Sequence, residues 1–125
     1  GSGIDLRVFV LVNAPFGGGM EWTKRSIEFA VANGASVVSL IPTRVGNGAL
    51  EELERQGLFS EPTLAMLEEA QEFGIQLGGA RVFADLWDLR RFARCERCFE
   101  ARQARLHQMN CEQRALPQVE CACGT

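Results

Sequence analysis

Two apolar runs, residues 6–12 and 36–41, place the tightest constraint on the fold of this chain. Both are rich in Val, Leu, Ile or Phe, a composition typical of strands buried within a parallel sheet. Pro42 ends the second run, because proline cannot donate a hydrogen bond to a sheet ladder. Between the runs, residues 21–32 repeat apolar side chains at helical spacing. A right-handed crossover of this length makes the two strands parallel, so we predict an α/β fold.

The helix between these strands is predicted to be amphipathic. Trp22, Phe29, Ala30 and Asn33 recur near helical spacing, and Ile27 and Val31 widen the apolar stripe, which we expect to cover the sheet. The loops that follow the two strands, residues 13–19 and 42–48, then lie at the same carboxyl edge of the sheet. Ligands of α/β proteins usually bind at that edge.

Further elements follow the second strand. A short helix is predicted over residues 49–56, and a longer one begins near Ser60, as its N-cap, and ends at Gly74. Residues 75–77 and 81–84 flank two glycines, and each is predicted to be a short extended segment. Most of the chain from Leu86 to Arg105 is predicted to be helical.

Charge is unevenly distributed along the chain, whose net charge is −3. Residues 1–85 carry six basic and eleven acidic side chains, whereas residues 86–125 carry seven basic and five acidic ones. An acidic protein of this kind is not expected to coat nucleic acid. We predict that the charged residues of the two longer helices form solvated faces or, for the arginines, a subunit contact; among them are Glu68, Glu69, Glu72, Arg102 and Arg105.

The cysteine spacing is the most specific signal in the sequence. Cys95 and Cys98 form one close pair and Cys121 and Cys123 a second, separated by a 22-residue gap. Two such pairs supply the four thiolates of a tetrahedral zinc site, which leaves Cys111 as a spare. An iron–sulfur cluster and unligated thiols remain alternatives, because thiolate ligands alone do not choose the metal.

Other patterns are weaker. Arg44, in a glycine-containing turn, either holds an anion or pairs with a nearby acid. Asp85 is predicted to cap a helix beside a packed Trp87. His107 is interpreted as a surface residue rather than a ligand. No residue is assigned a catalytic role. The apolar runs are too short to cross a membrane and no export signal is visible, so we expect a cytoplasmic protein.

Several segments together resemble the C-terminal portion of radical S-adenosylmethionine (radical SAM) proteins. They are residues 7–15, 41–51 and 85–89, followed by a tail that contains Cys95, Cys98, Arg105, Met109, Asn110, Gln113, Pro117 and Cys121. In that family a partial (β/α)6 barrel binds a [4Fe–4S] cluster through a C-x3-C-x2-C motif. The cluster cleaves S-adenosylmethionine to a 5′-deoxyadenosyl radical. This motif is absent from the 125 residues.

The resemblance implies a domain organisation and a set of binding residues. Residues 1–88 would be the last part of a partial barrel of parallel strands with covering helices, and residues 89–125 a Cys-rich helical tail with a zinc site. Near S-adenosylmethionine would lie Ile41, Pro42, Thr43 and Arg44, and Asn13–Phe16 would face the substrate side. The [4Fe–4S] cluster would be bound by an N-terminal barrel half upstream or on another chain.

Two functions are therefore expected. In the first, the chain completes the cofactor and substrate pocket of a radical SAM enzyme and is inactive alone, because it cannot bind the cluster. In the second, it is a stand-alone α/β binding module whose zinc knuckle docks a protein or a nucleic acid. An open barrel fragment exposes a strand edge and self-associates, whereas an independent module is a monomer.

Overall fold

The computed structural model describes residues 6–13, 19–43, 48–57 and 61–121. Arg44 and Cys123, two of the predicted ligand-binding residues, lie outside these ranges, as does the predicted cap Ser60. The regular elements are, in chain order, β1 (Arg7–Val12), α1 (Gly19–Ala32), β2 (Val37–Pro42), α2 (Gly48–Arg55), α3 (Leu64–Leu77), β3 (Arg81–Ala84), a 3-10 helix (Leu89–Phe92) and α4 (Glu96–Glu112).

The three strands form one parallel sheet in the order β1-β2-β3. Arg7 of β1 lies opposite Val37 of β2, and Val37 lies opposite Arg81 of β3. The predicted α/β class and the parallel pairing of the first two strands are confirmed. Strands that pair in chain order with helices between them are the repeating unit of βαβ architectures.

One face of the sheet carries the core. Alternate residues of each strand are buried there, including Val10, Leu40 and Val82, because successive strand side chains point to opposite faces. Helices α1 and α3 pack against this face and against each other. Leu89, Phe92, Phe99 and Leu106, from the segment that begins at residue 89, join the same buried cluster.

The opposite face of the sheet is open over the described residues. Phe9 and Leu11 are exposed there, and Ser39, Ile41 and Phe83 are half-buried. The prediction of fully buried strands is therefore right for one face only. The apolar composition of β1 and β2 could not reveal this, because an uncovered apolar face has the same sequence pattern as a covered one.

Helix α1 buries only part of the apolar stripe that its sequence predicts. Thr23, Ile27 and Ala30 are its buried residues, whereas Trp22 and Phe29 are 52% and 71% exposed. The hydroxyl of Thr23 accepts a hydrogen bond from the backbone N–H of Asn13 at 3.3 Å, which joins this side of the helix to the end of β1. The two aromatic rings instead border a groove of about 780 Å³ along the outer edge of β1.

Helix α3 begins and ends later than predicted. Its N-cap is Thr63, whose hydroxyl accepts a hydrogen bond from Met66 N at 3.3 Å. Residues 75–77 are helical rather than extended, because the chain only leaves the helix at Gly78, which has a φ of 75°. That backbone conformation favours glycine and terminates the helix. The predicted extended segment at Arg81–Ala84 is confirmed as β3.

Most of residues 86–105 is helical, as predicted, in the 3-10 helix and the first part of α4; the turn that precedes them differs from the prediction. Asp85 does not cap a helix; its carboxylate accepts a hydrogen bond from the backbone N–H of Trp87 at 3.1 Å, within a turn. Trp87 is 67% exposed rather than packed. An Asp carboxylate before a turn commonly accepts a hydrogen bond from the backbone N–H two residues later in the chain. The sequence does not distinguish this arrangement from a helix N-cap. No helix in the described part of the chain is long and apolar enough to cross a membrane.

Candidate metal centre

Three cysteines converge at the start of α4. The Sγ atoms of Cys95, Cys98 and Cys121 all lie within 4.8 Å of one another, and those of Cys95 and Cys121 are 3.7 Å apart. Cys98 is buried, and the other two are half-buried. The chain thus brings a cysteine 26 residues away to the first pair. This grouping supplies three ligands for a metal ion.

The position of the first pair follows from helix geometry. Cys95 is the N-cap residue of α4, with extended backbone dihedrals, and Cys98 lies in the first helical turn. Unpaired backbone N–H groups give a helix N-terminus a partial positive charge. Negative thiolates are therefore favoured at both positions, as metal binding requires.

The third cysteine arrives through a reversal of the chain after α4. Gln113 has a φ of 55° and donates its backbone N–H to Met109 O at 2.8 Å, which ends the helix. Arg105 then bonds the returning segment, because its Nε and Nη2 donate to Leu116 O at 3.2 and 2.7 Å. These contacts direct the tail back toward the N-terminus of α4, where Cys121 meets Cys95.

A buried arginine adjoins the cysteines. Arg102 is 4% exposed, and its Nη1 lies 3.9 Å from the Sγ of Cys98. Its Nε and Nη2 donate to the Glu68 carboxylate at 3.2 and 2.5 Å. The hydrogen bonds with Glu68 raise the pKa of Arg102 against the opposing effect of burial, and the bond with Cys98 raises it further. Arg102 therefore stays charged beside the cysteine cluster.

The charged faces of α3 and α4 meet each other instead of solvent. Arg105 also is buried and pairs with Glu72, and it lies 3.6 Å from Glu68. The predictions of solvated glutamates at 68 and 72 and of solvated or intersubunit arginines at 102 and 105 are wrong. The paired residues are 33 and 34 positions apart in sequence, so periodicity within each helix could not predict that their charges would face each other.

The remaining cysteine and the histidine stand apart from the cluster. Cys111 and His107 are both exposed on α4, and neither belongs to the group of converging ligands among the described residues. Cys123, the predicted fourth ligand, lies outside the described residues. A tetrahedral site built on the three described cysteines thus needs one further ligand, and Cys123 stays the sequence-based candidate.

The described residues that were expected near a cofactor lie at the carboxyl edge of the sheet. Ile41 is half-buried on the open face, and Pro42 is buried on the helix-covered side. The hydroxyl of Thr43 donates to Val12 O at 3.0 Å. Asn13 follows β1 in the left-handed backbone region, with a φ of 60°. The end of β1 and the end of β2 are therefore adjacent, as predicted, but the Thr43 hydroxyl already serves the backbone.

Two side-chain amides, one in the last turn of α4 and one at its C-cap residue, cover the outer edge of β3. Gln113 bonds both backbone groups of Val82: its Oε1 accepts from Val82 N at 2.7 Å and its Nε2 donates to Val82 O at 2.9 Å. Asn110 does the same at Ala84, at 2.8 and 3.0 Å. We refer to these four bonds as the amide clamp. Neither residue has a role that the sequence predicts, since only the tertiary fold brings the end of α4 to the strand edge.

Comparison with known proteins found no relative: no protein-family model, no curated protein and no solved structure matches this chain.

Proposed function

We propose that this chain is the C-terminal segment of a radical SAM enzyme. It would complete the S-adenosylmethionine and substrate pocket with the last strands of a partial barrel and hold its last helix in place with a cysteine-bound metal ion. The observation that carries the proposal is the asymmetry of the sheet. The β3 edge is covered by the amide clamp, whereas β1 pairs with no strand on its outer side within the described residues.

The layering of the sheet supports a barrel segment. Helices α1 and α3 both cover one face, while doubly wound sheets carry helices on both. In a (β/α) barrel the helices form an outer ring and the opposite strand side chains fill the interior. Phe9, Ser39 and Phe83 of the open face would then belong to that interior.

The outer edge of β1 supports an upstream neighbour. A strand edge offers unpaired backbone groups for parallel pairing. Trp22 and Phe29 border the groove along this edge together with Leu6 and Leu11. A preceding strand would pair with β1, and its helix would cover the two aromatic rings. At the other end, the amide clamp uses the β3 backbone groups that a further strand would need, so the sheet would end at β3.

The cysteines of this chain do not fit the cluster that cleaves S-adenosylmethionine. Their spacing differs from C-x3-C-x2-C, so the upstream half would bind that cluster. The contribution of this chain to the pocket would come from the carboxyl edge of the sheet, where Ile41 lies on the open face and Asn13 and Thr43 follow the strands. S-adenosylmethionine, when bound to the reduced cluster, supplies the radical that reacts with the substrate.

The cysteine cluster fits a single metal ion, and we propose structural zinc. Sulfur atoms about 3.8 Å apart are expected at the corners of a tetrahedron with zinc–sulfur bonds of about 2.3 Å. The distance of 3.7 Å between Cys95 and Cys121 agrees with this value. The cysteines of a four-iron cluster bind different iron atoms, so their sulfurs stand further apart than ligands of one ion. Cys123 would be the fourth ligand.

Gel filtration tests the exposed edge. We expect the 125-residue chain to self-associate with rising concentration, because no described residue fills its groove or pairs with the outer edge of β1. Replacing both Trp22 and Phe29 with Ser should shift the population toward monomer. The control is Trp87→Ser, which removes an exposed ring outside the groove and should change nothing. A monomer at every concentration would favour the independent binding module.

Expression together with the preceding coding sequence tests the enzymatic part. We expect that sequence to encode C-x3-C-x2-C and the joined protein, reduced with dithionite, to convert S-adenosylmethionine to 5′-deoxyadenosine. The 125-residue chain alone should release none. A preceding sequence without the motif, or a joined protein that binds no iron, would contradict the radical SAM proposal and leave the metal site standing.

A further inference from the structure

We propose that the two buried arginines of α4, Arg102 and Arg105, preorganise the cysteine site for its metal ion, each held in place by a glutamate of α3. Arg102 would balance the charge of the metal–thiolate group, and Arg105 would hold the tail that delivers Cys121. This inference rests on the proposed metal site and extends it to residues that do not bind the metal.

The proposed metal–thiolate group would carry a net negative charge. A zinc ion with three thiolates carries a net charge of −1, and with four a net charge of −2. Burying such a group is costly without a nearby cation. Arg102 places its guanidinium 3.9 Å from the Sγ of Cys98, the most buried of the three cysteines. Since that cation is already inside the protein, metal binding would not have to recruit it.

Glu68 fixes the orientation of the Arg102 side chain. Its Nε and Nη2 bond the carboxylate of Glu68, which leaves Nη1 directed at Cys98. A planar guanidinium can bond a carboxylate with two N–H groups and still offer a third, whereas the ammonium of lysine is a single point charge. Glu68 therefore sets the direction from which Arg102 approaches the sulfur. Partners of this kind commonly tune metal affinity.

Arg105 also holds the tail segment that carries Cys121. In a flexible chain, bringing Cys121 to the first cysteine pair costs conformational entropy. Arg105 reduces that cost by bonding Leu116 O through two of its N–H groups. Its guanidinium is in turn paired with Glu72. The third thiolate is thereby held near its binding position by a contact that includes no metal ligand.

Zinc affinity measured by competition with a chromophoric chelator tests the inference in the 125-residue chain. We expect Arg102→Gln and Arg105→Gln each to weaken Zn²⁺ binding about 10-fold to 100-fold, the usual range for partners of metal ligands. The control is Arg97→Gln, an exposed arginine beside Cys98, which should bind as the wild type does. Far-UV circular dichroism of the metal-free variants checks that helix content is retained.

Cobalt absorption separates the two roles from a general loss of stability. With Co²⁺ in place of zinc, the intensity of the thiolate-to-metal charge-transfer band reports how many cysteines are bound. We expect Arg105→Gln to lose intensity, because Cys121 is no longer delivered. Arg102→Gln should keep the full intensity at saturating Co²⁺ and need more metal to reach it. If Arg102→Gln does not fold, Arg102→Lys serves instead and should bind more weakly than the wild type.

The outcomes distinguish the inference from the site on which it rests. Wild-type affinity in both arginine variants, with binding lost in Cys98→Ser, would overturn the role of the arginines and keep the metal site. A wild-type chain that binds neither Zn²⁺ nor Co²⁺ would overturn both.

Discussion

The carboxamide of Asn110 pairs with Ala84 as a neighbouring strand would, accepting from its backbone N–H and donating to its carbonyl oxygen. Gln113 repeats the arrangement at Val82, two residues earlier on the strand. Backbone groups of alternate strand residues point to the same edge, so the two amides cover consecutive bonding positions of β3. Natural sheets commonly protect an edge from further pairing, and here two helix side chains do so.

Asn110→Ala should lower the free energy of unfolding by about 2 kcal/mol or more, because it leaves both backbone groups of Ala84 without these partners. Urea denaturation followed by circular dichroism measures the change. The control Gln108→Ala, on the exposed side of the same helix, should shift stability by less than about 0.5 kcal/mol. Equal effects of the two substitutions would show that the amide clamp contributes nothing particular.

Glu68→Gln should destabilise the protein by about 3 kcal/mol, because it removes the charge that faces buried Arg102 and also lies near Arg105. Its neighbour Glu69 provides a matched control: that side chain is 52% exposed and pairs with Lys24. Glu69→Gln should cost less than about 1 kcal/mol, the usual value of a surface ion pair. The comparison uses the same urea denaturation, and a similar loss at both positions would contradict a buried charge network between α3 and α4.

Removing the metal should lower the melting temperature. Ligand bound to the folded state at 100 times its dissociation constant adds about 2.7 kcal/mol of stability, which a chelator would withdraw. The double replacement of Cys95 and Cys98 by Ser should reproduce the effect of the chelator and make it ineffective. Cys111→Ser, at an exposed cysteine outside the cluster, should retain the full response. Differential scanning calorimetry with and without chelator gives the comparison, and identical melting curves for all proteins would argue against structural zinc.

Local patterns in the sequence predicted much of the secondary structure. Apolar β-branched runs marked β1 and β2, helical spacing marked α1, and a right-handed crossover made the strands parallel. The paired cysteines predicted a common site, and three of the four are brought together in the structure. The sequence could predict these features because each strand or helix depends on residues close together in the chain, and the metal site on the spacing of the cysteines.

Tertiary structure alone decided which faces met. It turned Trp22 and Phe29 away from the core, placed Glu68 against Arg102, and aligned Asn110 with the edge of β3. Glu68 and Arg102 are separated by 34 positions in the sequence, and Asn110 and its partner in β3 by 26. The sequence determined most of the strands and helices and the paired cysteines, three of which converge. It did not determine the partners of its charged and amide side chains. A polar residue gives the same sequence pattern whether its hydrogen bonds are made with water or with a distant element of the fold.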